Sequence, residues 1–153
     1  MALWTQEKSK WDIRFLQLAQ HISTWSKDPS TQVGAVIVDP KNRIISTGYN
    51  GFPRGIDDRE ELYFDRETKY RRIVHADMNA LMFANADVSG CTIYTWPQLP
   101  CSRCTGPIIQ SGIIRCVSVP MPAANADRWL EDIEVAKAML NEARVQVSIL
   151  QFT

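Results

Sequence analysis

Val33-Gly34-Ala35-Val36-Ile37-Val38-Asp39-Pro40-Lys41-Asn42-Arg43-Ile44-Ile45-Ser46-Thr47-Gly48 reads as a β-hairpin. The run 33–38 is apolar and rich in β-branched residues, as a strand buried on both faces should be. Asp39-Pro40-Lys41-Asn42 supplies turn chemistry, and 43–48 returns as the second strand. Upstream, Trp11, Phe15, Leu18, Ala19, Ile22 and Trp25 recur every three or four residues, which predicts an amphipathic helix from about Gln6 to Trp25. Ser26-Lys27-Asp28-Pro29-Ser30 ends it, because a residue before proline avoids the helical region.

Downstream of the hairpin the pattern becomes α/β. A long polar segment runs from Tyr49 to about Arg72, and loops of that length are usually functional. A helix is predicted from His75 to about Asn85, with Met78, Leu81 and Met82 on one face. Cys91-Thr92-Ile93-Tyr94-Thr95-Trp96 is a predicted strand, and 101–111 a short helix stopped by Gly112. Next come a strand over 113–119, a helix capped by Asp127 with Trp129, Ile133, Ala136 and Leu140 inward, and a strand over 145–150. The order α-β-β-α-β-α-β-α-β predicts a three-layer α/β/α sandwich around a central five-stranded mixed sheet. No repeat or linker divides residues 1–153, so one domain is expected.

Charge narrows the function. Lys plus Arg and Asp plus Glu are each 17, giving no net charge. A dedicated duplex-DNA binder carries a basic excess, so nucleic acid is not the expected partner; a small phosphorylated ligand remains open. No apolar run is long enough to span a membrane. Met1-Ala2-Leu3-Trp4-Thr5-Gln6-Glu7-Lys8 is charged and helix-like without a signal-peptide core, so a cytoplasmic location is expected.

Two helix starts carry the chemistry. His75-Ala76-Asp77-Met78-Asn79-Ala80 opens one, and Pro100-Cys101-Ser102-Arg103-Cys104 opens the other. Both follow extended segments, so both N-termini should meet at the sheet edge where open α/β folds bind ligands. There one imidazole and two thiolates could hold a soft metal, the helix dipoles favouring the thiolates. Two thiolates neutralise Zn²⁺, and an open fourth position suits catalysis. A closed structural site would need Cys91, Cys116 or His21 as fourth ligand; the first two read as buried small hydrophobes and His21 is remote in sequence.

H-x-E followed by P-C-x-x-C is the zinc nucleobase-deaminase signature, its acidic residue a proton shuttle and not a ligand. These blocks make the chain similar to the deoxycytidylate (dCMP) deaminase family, known from eukaryotes and from viruses including phages. Two further blocks extend the resemblance across about Trp11 to Val119: Ser26-Lys27-Asp28-Pro29-Ser30-Thr31-Gln32-Val33-Gly34 and Gly48-Tyr49-Asn50-Gly51-Phe52-Pro53-Arg54-Gly55. The resemblance implies one zinc on His75, Cys101 and Cys104. It implies Asn50 on the sugar hydroxyl and the Ala76 carbonyl on the exocyclic amine. Ser26 and Lys27, with Arg54 as a competitor, are its candidates for the 5′-phosphate. The implied reaction is attack of zinc-activated water on carbon 4, converting dCMP to dUMP and ammonia and so supplying dUMP for thymidylate synthesis. Family members are typically hexamers regulated by dCTP and dTTP, and Gly48, Tyr49, Gly51 and Phe52 fall at that regulatory site by resemblance.

Two departures stand out. The family's Glu falls at Asp77, one methylene shorter, which suits a natural variant with a shifted backbone, a weakened ligand-trapping form or a decayed enzyme. The segment between Phe52 and Val74 lacks Cys and His, so no second zinc is expected. Asp57-Asp58-Arg59-Glu60-Glu61 and Arg71-Arg72 there suit either a solvated face or a subunit and nucleotide contact. Deamination of another pyrimidine nucleotide such as dCTP, and a non-catalytic zinc-stabilised nucleotide-binding module, remain as alternatives.

Overall fold

The computed structural model describes residues 4–5 and 9–151. Its strands are β1 (Trp4–Thr5), β2 (Gly34–Val38), β3 (Ile44–Tyr49), β4 (Thr92–Trp96), β5 (Arg115–Ser118) and β6 (Gln146–Ile149), all in one sheet. Its helices are α1 (Lys10–Ser23), α2 (Glu60–Phe64), α3 (Arg66–Arg72), α4 (Ala76–Phe83), α5 (Ser102–Gln110) and α6 (Ala126–Glu142). Sheet order is β1-β6-β5-β4-β2-β3, with β2 antiparallel to β3 and β4 and the remaining pairs parallel.

The expected sandwich is present because β2 alternates. Val36 and Val38 turn to one face and join Phe15, Leu16 and Ala19 of α1; Ala35 and Ile37 turn to the other and meet Ala76 and Ala80 of α4. That second face also receives Ile108 of α5 and Ile133 and Leu140 of α6. Two close backbone approaches require glycine. A β-carbon on Gly34 would overlap the Ala19 carbonyl of α1, and one on Gly48 would overlap the Ala76 carbonyl of α4. Gly112 ends α5 with φ of 88°, the left-handed turn expected of it.

Several boundaries differ from expectation. The start of the chain is not wholly helical: Trp4–Thr5 pairs with Val147 and Ser148 as a sixth, edge strand. The helix expected from Gln6 begins at Lys10, where Ser9 accepts from the Asp12 amide; residues 6–8 lie outside the described residues. Trp11 and Trp25 are exposed, so the apolar stripe of α1 is narrower than its sequence suggested. The polar 49–72 segment is not a bare loop but carries α2 and α3. Asp65 caps α3 by accepting from Thr68, and Tyr63 is buried with its ring stacked 4.1 Å from that of Phe52. Asp127 is not the cap of α6. A 3₁₀ turn at Ala123–Asn125 runs directly into the helix, Asn125 is already helical, and Asp127 falls within the first turn.

Candidate metal centre and active site

Short-range geometry assembles the centre. His75 is the N-cap of α4 and Cys101 the N-cap of α5; both are extended, and neither side chain caps its own helix. Each is therefore free to lean across its helix start, while Cys104 rises from the first turn of α5 toward the same point. Cys101 Sγ lies 3.4 Å from His75 Nδ1, Cys104 Sγ 3.3 Å from it, and the sulfurs are 3.5 Å apart. Tetrahedral zinc, with bonds of about 2.3 Å to sulfur and 2.0 Å to nitrogen, would set sulfur–sulfur near 3.8 Å and sulfur–nitrogen near 3.5 Å. The three donors fit that ion within a few tenths of an ångström.

Among the described residues no fourth His, Cys, Asp or Glu joins this cluster. Cys91 is buried beside β4 and Cys116 lies within β5, while His21 is exposed with its ring against Trp25. Bonds from Cys104 and His75 hold the Cys101 thiol far below the usual thiol range, at about 4, burial notwithstanding. The side-chain bond with Cys101, and then burial, pushes the Cys104 thiol up. A cation would replace that shared proton and take both sulfurs as thiolates.

Asp77 is the second residue of α4 and is buried, and burial pushes its carboxyl above the usual carboxylate range. It lines a cavity with His75, Cys101, Ala76, Leu99 and Trp129. The Trp129 ring stands edge-on to His75, centroids 6.4 Å apart. Its sequence reading placed Trp129 in the core stripe of α6; the fold also makes it a cavity wall.

Asn50 lines the same cavity with its amide already engaged. Oδ1 accepts from Val33 N at 2.9 Å, and Nδ2 donates to the Thr31 carbonyl at 2.9 Å and to Asp28 at 3.3 Å. Ala76 is fully buried on the wall. Ser26 and Lys27, the sequence candidates for the phosphate, are not among the lining residues. Ser26 donates to the Asn50 carbonyl, and Lys27 reaches Asp58 at 2.7 Å in a separate recess. That recess is lined by Trp25, Tyr49, Gly51, Phe52 and Arg54, so the last of these is no closer to the cavity. Gly48 lies in β3 beneath α4.

Sequence reasoning missed the outer half of the cavity. Asp28, Ser30, Lys69, Tyr70, Gln98 and Arg128 line it. Lys69 and Tyr70 lay in a segment read as a polar loop, and burial of Lys69 and Tyr63 within it distinguishes that segment from solvated surface.

An α/β/α sandwich holding one imidazole, two thiols and a buried carboxylate where two helices begin defines the class of zinc-dependent nucleobase deaminases. Residues 9–119 match the profile of the cytidine and deoxycytidylate deaminase zinc-binding region. The chain is 44% identical over 142 residues to an uncharacterised deaminase of the luxG 3′ region of Aliivibrio fischeri, covering 93% of this chain and 95% of that one. It is 36% identical over 150 residues to the deoxycytidylate deaminase of Mus musculus, covering 94% and 80%. The dCMP deaminase of cyanophage S-TIM5 shares the fold, with TM-score 0.71 at 21% identity over 95% of this chain and 100% of that one. The same phage enzyme in complex with dCMP and dUMP gives 0.68 at 19% identity, covering 94% and 100%. The chain belongs to the cytidine and deoxycytidylate deaminase family, and it is a deaminase of the hydrolase class.

Proposed function

We propose that the protein converts dCMP to dUMP and ammonia in the cytoplasm, Asp77 carrying the protons. The observation behind the reading is the donor triangle of His75, Cys101 and Cys104 beside a buried carboxylate in one cavity. The relatives named as deoxycytidylate deaminases support the substrate. Bound zinc would supply a Lewis acid that lowers the pKa of water at the cavity floor. Asp77 sits two residues from one ligand and is not itself a ligand, so it can take the water's proton, give it to the ring nitrogen and later protonate the departing amine. Trp129 and Leu99 wall the reacting base from solvent, and Asn50 with Ala76 orients sugar and base. Resemblance supports those two roles, and in the case of Asn50 the network on Asp28, Thr31 and Val33 fixes the amide in place.

Regulation by dCTP and dTTP in a homo-oligomer belongs to the same reading, at the recess of Tyr49, Gly51 and Phe52. Its support is the Gly48-Tyr49-Asn50-Gly51-Phe52-Pro53 block. Flat activity across added dCTP and dTTP, or a monomer by light scattering, overturns that part.

Ultraviolet assay of dCMP, dCTP, deoxycytidine, cytidine and cytosine tests the reaction. The expected order places dCMP first. Preference for dCTP moves the substrate, and absence of turnover by zinc-loaded protein overturns the reading.

A further inference from the structure

We propose that Asp132 of α6 is a positioning residue of the metal centre, holding the first peptide of α5 so that Cys101 and Cys104 stand in metal-ready geometry. Its carboxylate grips Ser102 twice. Oδ2 accepts from the Ser102 amide at 2.8 Å and Oδ1 from the Ser102 hydroxyl at 2.6 Å, across 30 residues of sequence. Ser102 lies between the two thiols of the C-x-x-C pair. The proposal rests on the zinc assignment of the three donors and not on the choice of substrate.

The need for such a residue comes from Cys101. The side chain at an N-cap commonly satisfies an amide of its own first turn. Cys101 makes no such bond, because its sulfur is turned to His75 and Cys104. Asp132 takes the orphaned amide from a neighbouring helix instead. At the other end of the same peptide unit, the Cys101 carbonyl accepts from the Cys104 amide at 3.2 Å, the Thr105 amide at 3.0 Å and the Thr105 hydroxyl at 2.8 Å. The peptide joining Cys101 to Ser102 is thus fixed at both its oxygen and its nitrogen. Asp132 is in no ion pair among the described residues, so the positive end of α5 is its counter-charge.

The same helix reaches the centre at a second point. Trp129 stands three residues before Asp132, on the same side of α6, with its ring 6.4 Å from that of His75. One helix face therefore meets both the imidazole and the start of the thiol-bearing helix. Ile133, Ala136 and Leu140 are buried and seat α6 against the sheet, which gives Asp132 a rigid base. Groups that hydrogen-bond around metal ligands orient them, and their loss commonly weakens metal binding about 10- to 100-fold.

The test is zinc affinity, measured by competition with a chromogenic chelator, in wild type, Asp132→Ala, Asp132→Asn and Asp12→Asn. Asp132→Ala should bind zinc about 10- to 100-fold more weakly than wild type. Asp132→Asn keeps an acceptor for the Ser102 amide and should recover most of that loss. Asp12→Asn controls for stability alone, since Asp12 bonds Tyr94 on the α1 face of the sheet; its affinity should hold. Equal affinity in Asp132→Ala and wild type, an equal fall in Asp12→Asn, or a loss in Asp132→Asn as deep as in Asp132→Ala overturns the role of Asp132.

If Asp132→Ala does not fold, Ser102→Ala carries the test, because it removes the hydroxyl bond and leaves the amide bond. Its zinc affinity should fall about 3- to 10-fold, and an unchanged affinity overturns the proposal. Wild type that takes up no zinc overturns the metal assignment itself. Wild type that binds zinc no more tightly than Asp132→Ala leaves that assignment standing and removes only the positioning residue.

Discussion

The Lys69 ammonium lies 3.1 Å from the Asp28 carboxylate, with both side chains less than a tenth exposed although 41 residues separate them. The pair ties α3 to the turn after α1, and that turn supplies Ser30 and Thr31 to the cavity. Asp28 also accepts from the Ser30 amide and from Asn50, so one carboxylate organises three parts of the wall.

Breaking the pair from one side should therefore be costly. Asp28→Asn keeps an acceptor for Ser30 but leaves a buried ammonium without its counter-charge, a loss of about 3 kcal/mol. Asp28→Asn with Lys69→Met removes the stranded charge and should recover part of that loss. Urea unfolding of the zinc-loaded variants reads both. Simple addition of the two single costs would show that the charges are not coupled.

The proposed proton path rests on position 77. Asp77→Ala should abolish turnover with zinc still bound, because the carboxylate is not a ligand. Asp77→Glu adds one carbon–carbon bond of reach, about 1.5 Å. It should raise kcat about 100-fold if the shorter acid is held back from the reacting atoms. A fall in rate would show that α4 is seated for the shorter side chain. Unchanged turnover in both variants would assign the proton to another group.

Metal content should be one zinc per chain. His75→Ala and Cys101→Ser should each lose it, whereas Cys91→Ala and Cys116→Ala should retain it, since both of those thiols are buried away from the cluster. Atomic absorption reads the stoichiometry. Cobalt substitution should show charge-transfer bands of two thiolates, and bands of three or four would contradict the open position.

Acid stability should carry the signature of Asp12. Burial opposes its charge, but bonds from Arg115 at 2.8 and 2.9 Å and from the Tyr94 hydroxyl at 2.7 Å outweigh burial and hold it below the usual carboxylate range. A depressed folded pKa adds stability that is complete above the unfolded value, about 3.9, and disappears as pH falls through the folded one. Asp12→Asn should therefore unfold more easily than wild type at pH 7, and the gap should narrow below pH about 4. A gap constant between pH 7 and pH 3 would refute the charge-based account.

Much of the centre was legible because its determinants are local. Cys101 and Cys104 are three residues apart on one helix turn, and a helix that begins with an extended residue presents that residue at its N-terminus. The same short range explains the strands of the hairpin, where alternation of Val36 and Val38 with Ala35 and Ile37 assigns faces before any packing is known. Asp77 was legible too, as a carboxylate two residues from an imidazole.

What lies between elements was not. Lys27 and Lys69 are both lysines in polar sequence, yet Lys27 is turned to Asp58 at the surface and Lys69 is buried in the cavity wall. Tyr70 and Arg128 meet across 58 residues only because the fold brings α3 beside the start of α6. Periodicity and ligand spacing decide a residue's place within its own helix or strand. Which helix stands opposite is settled by sheet order and by how closely backbones approach, as Gly34 and Gly48 allow here, and those are properties of the whole chain folded.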